Sequence, residues 1–533
     1  MISKIKKQFL LIFLLITCIL HAKLPNLDRS DVHKAINSIL NTHVKYHSMD
    51  EELFQKTINN FIQELDPLKM YFIEDEILAF STRDKPLIKK DLKNFNHSNF
   101  SVFQEILQIM QKAIERREIL EEKALAITLP SDVNEEEFKN LNWVKSKDEL
   151  LDRILKVKSL QKKSAEKFTE NQELIFERIK RRRKTKENEI LSDLKEPNTP
   201  LLHTTIIKAL ALSLDAHTYY FTPQEAKHFI IQFQQKLSGI GAVLRDNLNG
   251  LSIVQLIENG PAQKSKQLKI NDRIIAVNKE PIVGMDFTDS VELIRGKPGS
   301  KVILTIIRDD NGKETALEIP LTRQEVIIEE GRYESNSKPY GDGTIAYIRL
   351  FSFYQDKTSS STQDVEKAIN KIKKDEKIKG IILDLRNNSG GSLQQAVGIT
   401  GLFINKGIVV SVKDQFDHIQ HLRDTSGKKA WDGPLVVLVD KASASASEIV
   451  AQTLQDYGRA ILIGDTTTFG KGSFQSFSNP GKPDEINPKG EIKVTQGLYY
   501  TVSGKSPQLK GVLSDITVPG ILSEIEIGEQ YSN

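Results

Sequence analysis

A single cysteine in 533 residues, Cys18, rules out an internal disulfide and any zinc site built from several thiolates. Charge of one sign is also missing. Lys and Arg number 74 against 71 Asp and Glu, a net charge of +3, so the molecule as a whole has no strong pull toward nucleic acid or an anionic membrane. No Gly-x-Gly-x-x-Gly or Walker pattern is present to cradle a nucleotide, which leaves a nucleotide-binding reading resting on one glycine turn after Arg386. No metal-ligand cluster stands out, and no cofactor is expected. Long apolar runs are scarce. The one candidate, Phe9 to Leu20, is short for a membrane span and follows Lys4, Lys6 and Lys7, the pattern of a signal peptide over residues 1–22 ending near Ala22. The alternatives are an uncleaved anchor and lipidation at Cys18, which follows Leu15-Ile16-Thr17.

What remains is an ordinary globular composition, 39% hydrophobic and 27% charged, at a length that fits two to four domains. Residues 23–200 read as helical: Val32, Ile36, Ile39 and Leu40 recur at helical spacing, as do Leu53, Ile58, Phe61, Ile62 and Leu65. The stretches 105–126 and 148–194 are charged and free of Pro and Gly, and the basic cluster Lys180 to Lys184 reads as a solvated helix face. Pro197 and Pro200 mark a boundary, and residues 201–237 read as a helical linker. Two phrases echo each other, Leu65-Asp66…Tyr71-Phe72 and Leu214-Asp215…Tyr220-Phe221. Residues 238–325 turn to short strands (242–244, 251–256, 272–277, 302–307) with turns at Gly260-Pro261-Ala262 and Asn311-Gly312. From about residue 343, strands and helices alternate, the sign of a layered α/β core over 326–533.

Within that core, Ser445 opens a helix expected to bury Ile449, Val450, Leu454 and Tyr457, and Lys471 stands just beyond the next strand. A hydroxyl becomes a good nucleophile when a base takes its proton, and a lysine kept neutral by burial can be that base. The unpaired first amides of the helix, Ala446 foremost, can stabilise an oxyanion. Asn387-Asn388-Ser389-Gly390-Gly391 follows a buried strand and can supply a second donor. The competing reading is structural: Ser445-x-x-Glu448 fits a capping box, and Lys471 by itself reads as a surface lysine. A Ser–His–Asp arrangement with His418 or His421, near Asp417 and Asp424, is the rival chemistry.

Taken together, three blocks resemble the signatures of the carboxyl-terminal processing, or tail-specific, serine proteases: Gly380 to Gly391, Ser443-Ala444-Ser445-Ala446-Ser447-Glu448-Ile449, and Thr468-Phe469-Gly470-Lys471-Gly472-Ser473-Phe474-Gln475. A fourth, Ser503 to Gln508 with Gly511-Val512, is similar. The resemblance implies Ser445 as nucleophile, Lys471 as base, Gln475 orienting that lysine, and Gly391 and Ala446 as oxyanion donors. It implies a crotonase/ClpP-like layered α/β protease core in a multidomain α/β chain. The loop Gly464 to Thr468 is one residue longer than the family's usual, so spacing leaves Ser445 against Ser447 open, and helix phase favours Ser445. Ala216 and Ser514 stand where the family usually has proline.

Residues 238–325 resemble a PDZ domain of the protease-associated type, which implies that Gly239, Ile240 and Gly241 hold a substrate's terminal carboxylate while the following strand pairs with its tail. The expected partners are protein or peptide substrates with apolar C-termini, not nucleic acid. The helical region is a candidate surface for an adaptor or for self-association. The expected location is the bacterial envelope, in the periplasm. A catalytically silent PDZ scaffold is the alternative from another functional class.

Overall fold

The computed structural model of the chain describes residues 24–532, apart from 139–140, 166–171, 194–198, 248–249, 284–286, 311–312, 329–330 and 478–485. The predicted signal segment with Cys18, Pro197 and the Asn311-Gly312 turn lie outside the described residues. None of the described helices is long and apolar enough to cross a membrane.

Helices Arg29–Thr42, Glu51–Leu65, Glu74–Ser81, Lys85–Asn96, Ser101–Lys123, Lys147–Ala165 and Gln172–Asp193 make up the first part of the chain. Acidic residues start several of them: Asp28, Asp50 and Asp84 each accept a backbone N–H from the first turn, which satisfies an amide the helix leaves unpaired. The stretch expected as one run over 148–194 is two helices, with the residues between them outside the described set. Leu53, Phe54, Ile58, Phe61 and Ile62 form one buried stripe.

Helix Pro200–Leu214 lies in the same core: Leu202, Ile206, Ile207 and Leu210 are buried against Glu51–Leu65. The linker expected over 201–237 therefore begins with a core helix. Pro200 occupies its first turn, where a missing N–H costs nothing, so the proline starts a helix. We propose that the first unit extends through residue 214.

The two echoing phrases have one physical basis. Asp66 ends helix Glu51–Leu65 and accepts the N–H groups of Met70, Tyr71 and Phe72 at 2.7–3.0 Å. Asp215 ends helix Pro200–Leu214 and accepts those of His217 and Thr218 at 2.7 and 2.6 Å. Each carboxylate folds the chain back after a helix. The basic cluster departs from a simple solvated face: Arg183 is 12% exposed and pairs with Glu187 and Glu121, while Lys184 pairs with Glu118.

The β-rich unit is a sheet in the order Ala242–Asn247, Gly250–Leu256, Arg273–Val277, Lys301–Asp310, Lys313–Thr322, flanked by helix Phe287–Ile294. Strand Lys313–Thr322 was not expected. Pro320 argues against a central strand, and this strand sits at the sheet edge, where proline is tolerated.

The α/β unit carries a six-stranded sheet ordered Tyr333–Tyr340, Gly343–Leu350, Ile378–Asp384, Leu435–Val439, Ile461–Gly464, Ile516–Thr517. The last five run parallel. Helices Ser361–Asp375, Leu393–Gly401 and Ala446–Asp456 belong to the same unit, the last two packed through its apolar core. Tyr457, expected to be buried there, is instead exposed, because it caps the end of the last helix and its hydroxyl reaches out to Ile408 O. A second sheet places Glu491–Tyr500 between Tyr219–Phe221 and Gly407–Asp414, with Ser473–Phe477 also paired to it. Tyr220 and Val494 on one face of this sheet belong to the N-terminal core. Gln475, Phe477, Lys493, Thr495 and Tyr219 share the other face, because paired residues and every second residue along a strand point the same way.

Candidate active site

The strands Ile378–Asp384 and Leu435–Val439 end side by side, and two loops leave their C-terminal ends toward each other. Asn388, fully buried, ties them together. Its amide donates to Leu350 O at 2.8 Å, its Oδ1 accepts Gly390 N–H at 2.9 Å, and its carbonyl accepts Ala444 N–H at 3.0 Å and the Ser447 hydroxyl at 2.8 Å. Ser447 is thus buried and committed to the loop. Ser445, by contrast, is half-buried with φ +57° and ψ −112°, a backbone region that costs a non-glycine residue about 1–3 kcal/mol and that turns up most often at functional sites. Its hydroxyl makes no hydrogen bond to the helix amides, so only the Glu448 half of a capping box exists.

Gly390 is packed against this serine: a Cβ there would lie 2.9 Å from Ser445 Cβ and 3.1 Å from Ala446 N, at φ +105°. The family resemblance implies Gly391 as a donor and no role for Gly390. The Gly391 bridge to Phe353 uses the carbonyl of Gly390 and the N–H of Ser392, which turns the Gly391 N–H away from Phe353. Among the described residues neither that N–H nor the Ala446 N–H donates to another backbone group. Two amides are therefore available beside Ser445.

Lys471 Nζ donates to Gln475 Oε1 at 2.7 Å, and Gln475 is held in turn by Ser473 Oγ at 3.0 Å and Thr495 Oγ1 at 3.3 Å. Burial, helped by the positive charge of Lys493, lowers the Lys471 pKa from 10.5 to about 8, against the opposing pull of Glu529, Glu448 and Asp215. In this structure the amine rests on Gln475, and the Ser445 hydroxyl is not among its hydrogen-bond partners.

Glu448 does more than cap a helix. One oxygen accepts Ser445 N–H at 2.8 Å and Lys471 N–H at 2.9 Å, so those two nitrogens are no farther apart than two hydrogen bonds laid end to end. The other accepts the Thr468 hydroxyl at 2.5 Å and Gly470 N–H at 2.7 Å. Burial pushes its pKa up to about 7, although all four donors favour the ionised form. The Tyr499 hydroxyl donates to the Ser445 and Lys471 carbonyls, a second tie between the two residues. Glu448→Gln sets an NH2 group against two of these donors and is expected to cost about 2–4 kcal/mol of folding stability. An unchanged denaturant midpoint in that variant would contradict the clamp.

Neither histidine of the rival arrangement reaches the serine. His418 is 79% exposed beside Asp414, and His421, itself exposed, bonds the Ser411 hydroxyl.

Three family models match in succession: the tail specific protease N-terminal domain over residues 35–224, the PDZ domain over 229–307, and peptidase family S41 over 344–518. The tail-specific protease of Haemophilus influenzae is 32% identical over 523 residues, which is 93% of this chain and 71% of that protein. The chain belongs to the tail-specific, or carboxy-terminal processing, protease family. A carboxy-terminal-processing protease of Bartonella bacilliformis is 34% identical over 62% of this chain and 72% of its own. Among solved structures, the photosystem II D1 C-terminal processing protease is similar over 63% of this chain and 86% of its own, at 23% identity and a TM-score of 0.35.

This tail-specific protease is a serine-type peptidase with a PDZ domain, and its loop Gly464 to Thr468 is held from Ser514. Ser514 donates its N–H to Thr466 O at 3.2 Å and its hydroxyl to Asp465 O at 2.6 Å, which pins residues 464–468. A proline there would have neither donor. In the PDZ domain, Gly239 pairs with Gln324 at a strand end. Gly241, at φ +72°, passes so near Gly260 that a Cβ would sit 3.1 Å from its Cα. The carbonyls of Ile240 and Gly241 accept from Ala262 and Ile257, while their N–H groups donate to no other backbone group among the described residues. Strand Ala242–Asn247, at the sheet edge, follows directly.

Proposed function

We propose that this protease is an exported endopeptidase of the bacterial envelope that grips the C-terminal tail of a protein substrate on its PDZ domain and cleaves with Ser445 as nucleophile and Lys471 as base. One observation carries the reading: a strained serine with an unbonded hydroxyl and a half-buried lysine of lowered pKa are fastened to the same Glu448 oxygen.

A neutral Lys471 amine donates to Gln475 and keeps its lone pair for the serine proton. Ser445 Oγ then attacks the scissile carbonyl carbon, and the oxyanion takes the N–H groups of Gly391 and Ala446. The Lys471 ammonium passes its proton to the departing amine, which leaves an acyl-enzyme. A water, deprotonated by the same amine, attacks the acyl carbon and frees Ser445. The lysine moves from its rest on Gln475 to the hydroxyl as substrate binds, since catalytic hydrogen bonds commonly tighten only in the substrate complex.

Tail recognition rests on the free N–H groups of Ile240 and Gly241 at the start of an open edge strand, the arrangement that receives a carboxylate and an added β-strand. Residues 1–22 act as the export signal. Amidating the C-terminus of a peptide substrate with an apolar tail is expected to lower kcat/KM by about tenfold or more, the loss of a charge-assisted contact. Equal rates for acid and amide would remove tail recognition from the account.

A further inference from the structure

We infer that Lys493 and Glu529 are positioning residues that bracket Lys471 with opposite charges and set the fraction of that amine available as a base. The inference deepens the proposed mechanism and rests on Lys471 being its base.

Lys493 comes from strand Glu491–Tyr500, two residues before Thr495, and directly faces Phe477 across the ladder that pairs Thr495 with Gln475. It thus shares a sheet face with the glutamine that holds Lys471. Its ammonium lies 5.7 Å from the Phe221 ring centre and 5.2 Å from that of Phe229, contacts that favour the charged form, while burial lowers its own pKa against the pull of Asp215. Among the described residues no carboxylate forms an ion pair with it. A second cation in so confined a place disfavours the Lys471 ammonium, a recognised way to activate a lysine.

Glu529 is tied to the backbone around Lys471. Its N–H donates to Phe469 O at 2.8 Å. Its carboxylate takes His217 Nε2 at 2.8 Å and Gln508 Nε2 at 3.2 Å, and Gln508 Oε1 accepts Gly472 N–H at 2.6 Å. The backbone on both flanks of Lys471 is therefore tied to this one acid. Its negative charge favours the Lys471 ammonium, as do those of Glu448, on the serine helix, and Asp215, at the end of helix Pro200–Leu214 and bonded to His43 at 2.8 Å. Burial and Lys493 act in the opposite sense.

The test is the pH dependence of kcat/KM with a quenched peptide, whose acid-side midpoint reports the base in the free enzyme. Lys493→Met, which keeps the apolar stem, is expected to move that midpoint up by about half a pH unit or more, and Lys493→Arg to restore it. Glu529→Gln is expected to move it down by a similar amount, because a negative neighbour of the ammonium is lost. A midpoint does not depend on the amount of active enzyme, so partial misfolding lowers the amplitude without mimicking the shift, and the Lys493 pair stands if Glu529→Gln fails to fold. Midpoints that stay put, or move in the same direction, overturn the inference. Activity surviving in Lys471→Met would instead overturn the base assignment beneath it.

Discussion

Ser445→Ala is expected to lower kcat/KM by at least about a thousandfold, because removing a nucleophile leaves only binding and oxyanion stabilisation. The fold has little reason to notice the change. The Ser445 hydroxyl caps no helix amide, and alanine keeps the backbone contacts to Glu448 and Tyr499. Ser447→Ala is the matched control, with the opposite signature. Its hydroxyl is buried and bonded to Asn388 O, so its loss is expected to cost about 1 kcal/mol of stability and leave turnover within a few-fold. Steady-state kinetics and denaturant unfolding on both variants separate the two roles. A dead Ser447→Ala beside an active Ser445→Ala would transfer the nucleophile to the other serine.

Lys471→Met is expected to be nearly as damaging to turnover, and yet to yield a more stable protein. A lysine whose pKa falls from 10.5 to about 8 on folding is one whose charged form the fold disfavours. Below about pH 8 the amine is charged in both states and the penalty is present in full. Between about 8 and 10.5 the unfolded chain binds more protons than the folded one, so wild-type stability rises with pH and the penalty fades. Methionine removes the charge and keeps the stem, so the gain at pH 7 is at most about 3 kcal/mol, less what is lost with the Gln475 hydrogen bond. A variant that loses activity and stability together across this range would mean that the ammonium is welcome where it sits.

The parts of the site legible in the sequence were those written in contiguous residues. The Ser445 helix, the Gly390-Gly391 turn and the Lys471-to-Gln475 spacing each announce a local geometry, and the core strands announce themselves as short apolar runs. The parts that stayed hidden depend on distant pairing. Glu448 read as a capping residue because its nearest partner is Ser445, while Thr468, Gly470 and Lys471 meet it only after the next strand has crossed the sheet. Tyr499 and Lys493 sit on strand Glu491–Tyr500, which was not among the expected strands, and what its residues face is set by pairing with distant strands. Helix Pro200–Leu214 reads as part of a linker in the sequence because Pro197 and Pro200 suggest a boundary, although its nearly continuous apolar surface signals a helix enclosed by others. The echo of Asp66 and Asp215 was visible as letters. Its cause, a carboxylate gathering the amides that follow a helix, needed the fold.

The account turns on the proton carried by one amine. Enzyme prepared with 13C-labelled lysine allows the Lys471 side-chain signal, assigned by its absence in Lys471→Met, to be titrated directly. A midpoint near 8 is the expected result. A midpoint at or above 10, the range of a free lysine, would leave Ser445 without its base and contradict the mechanism.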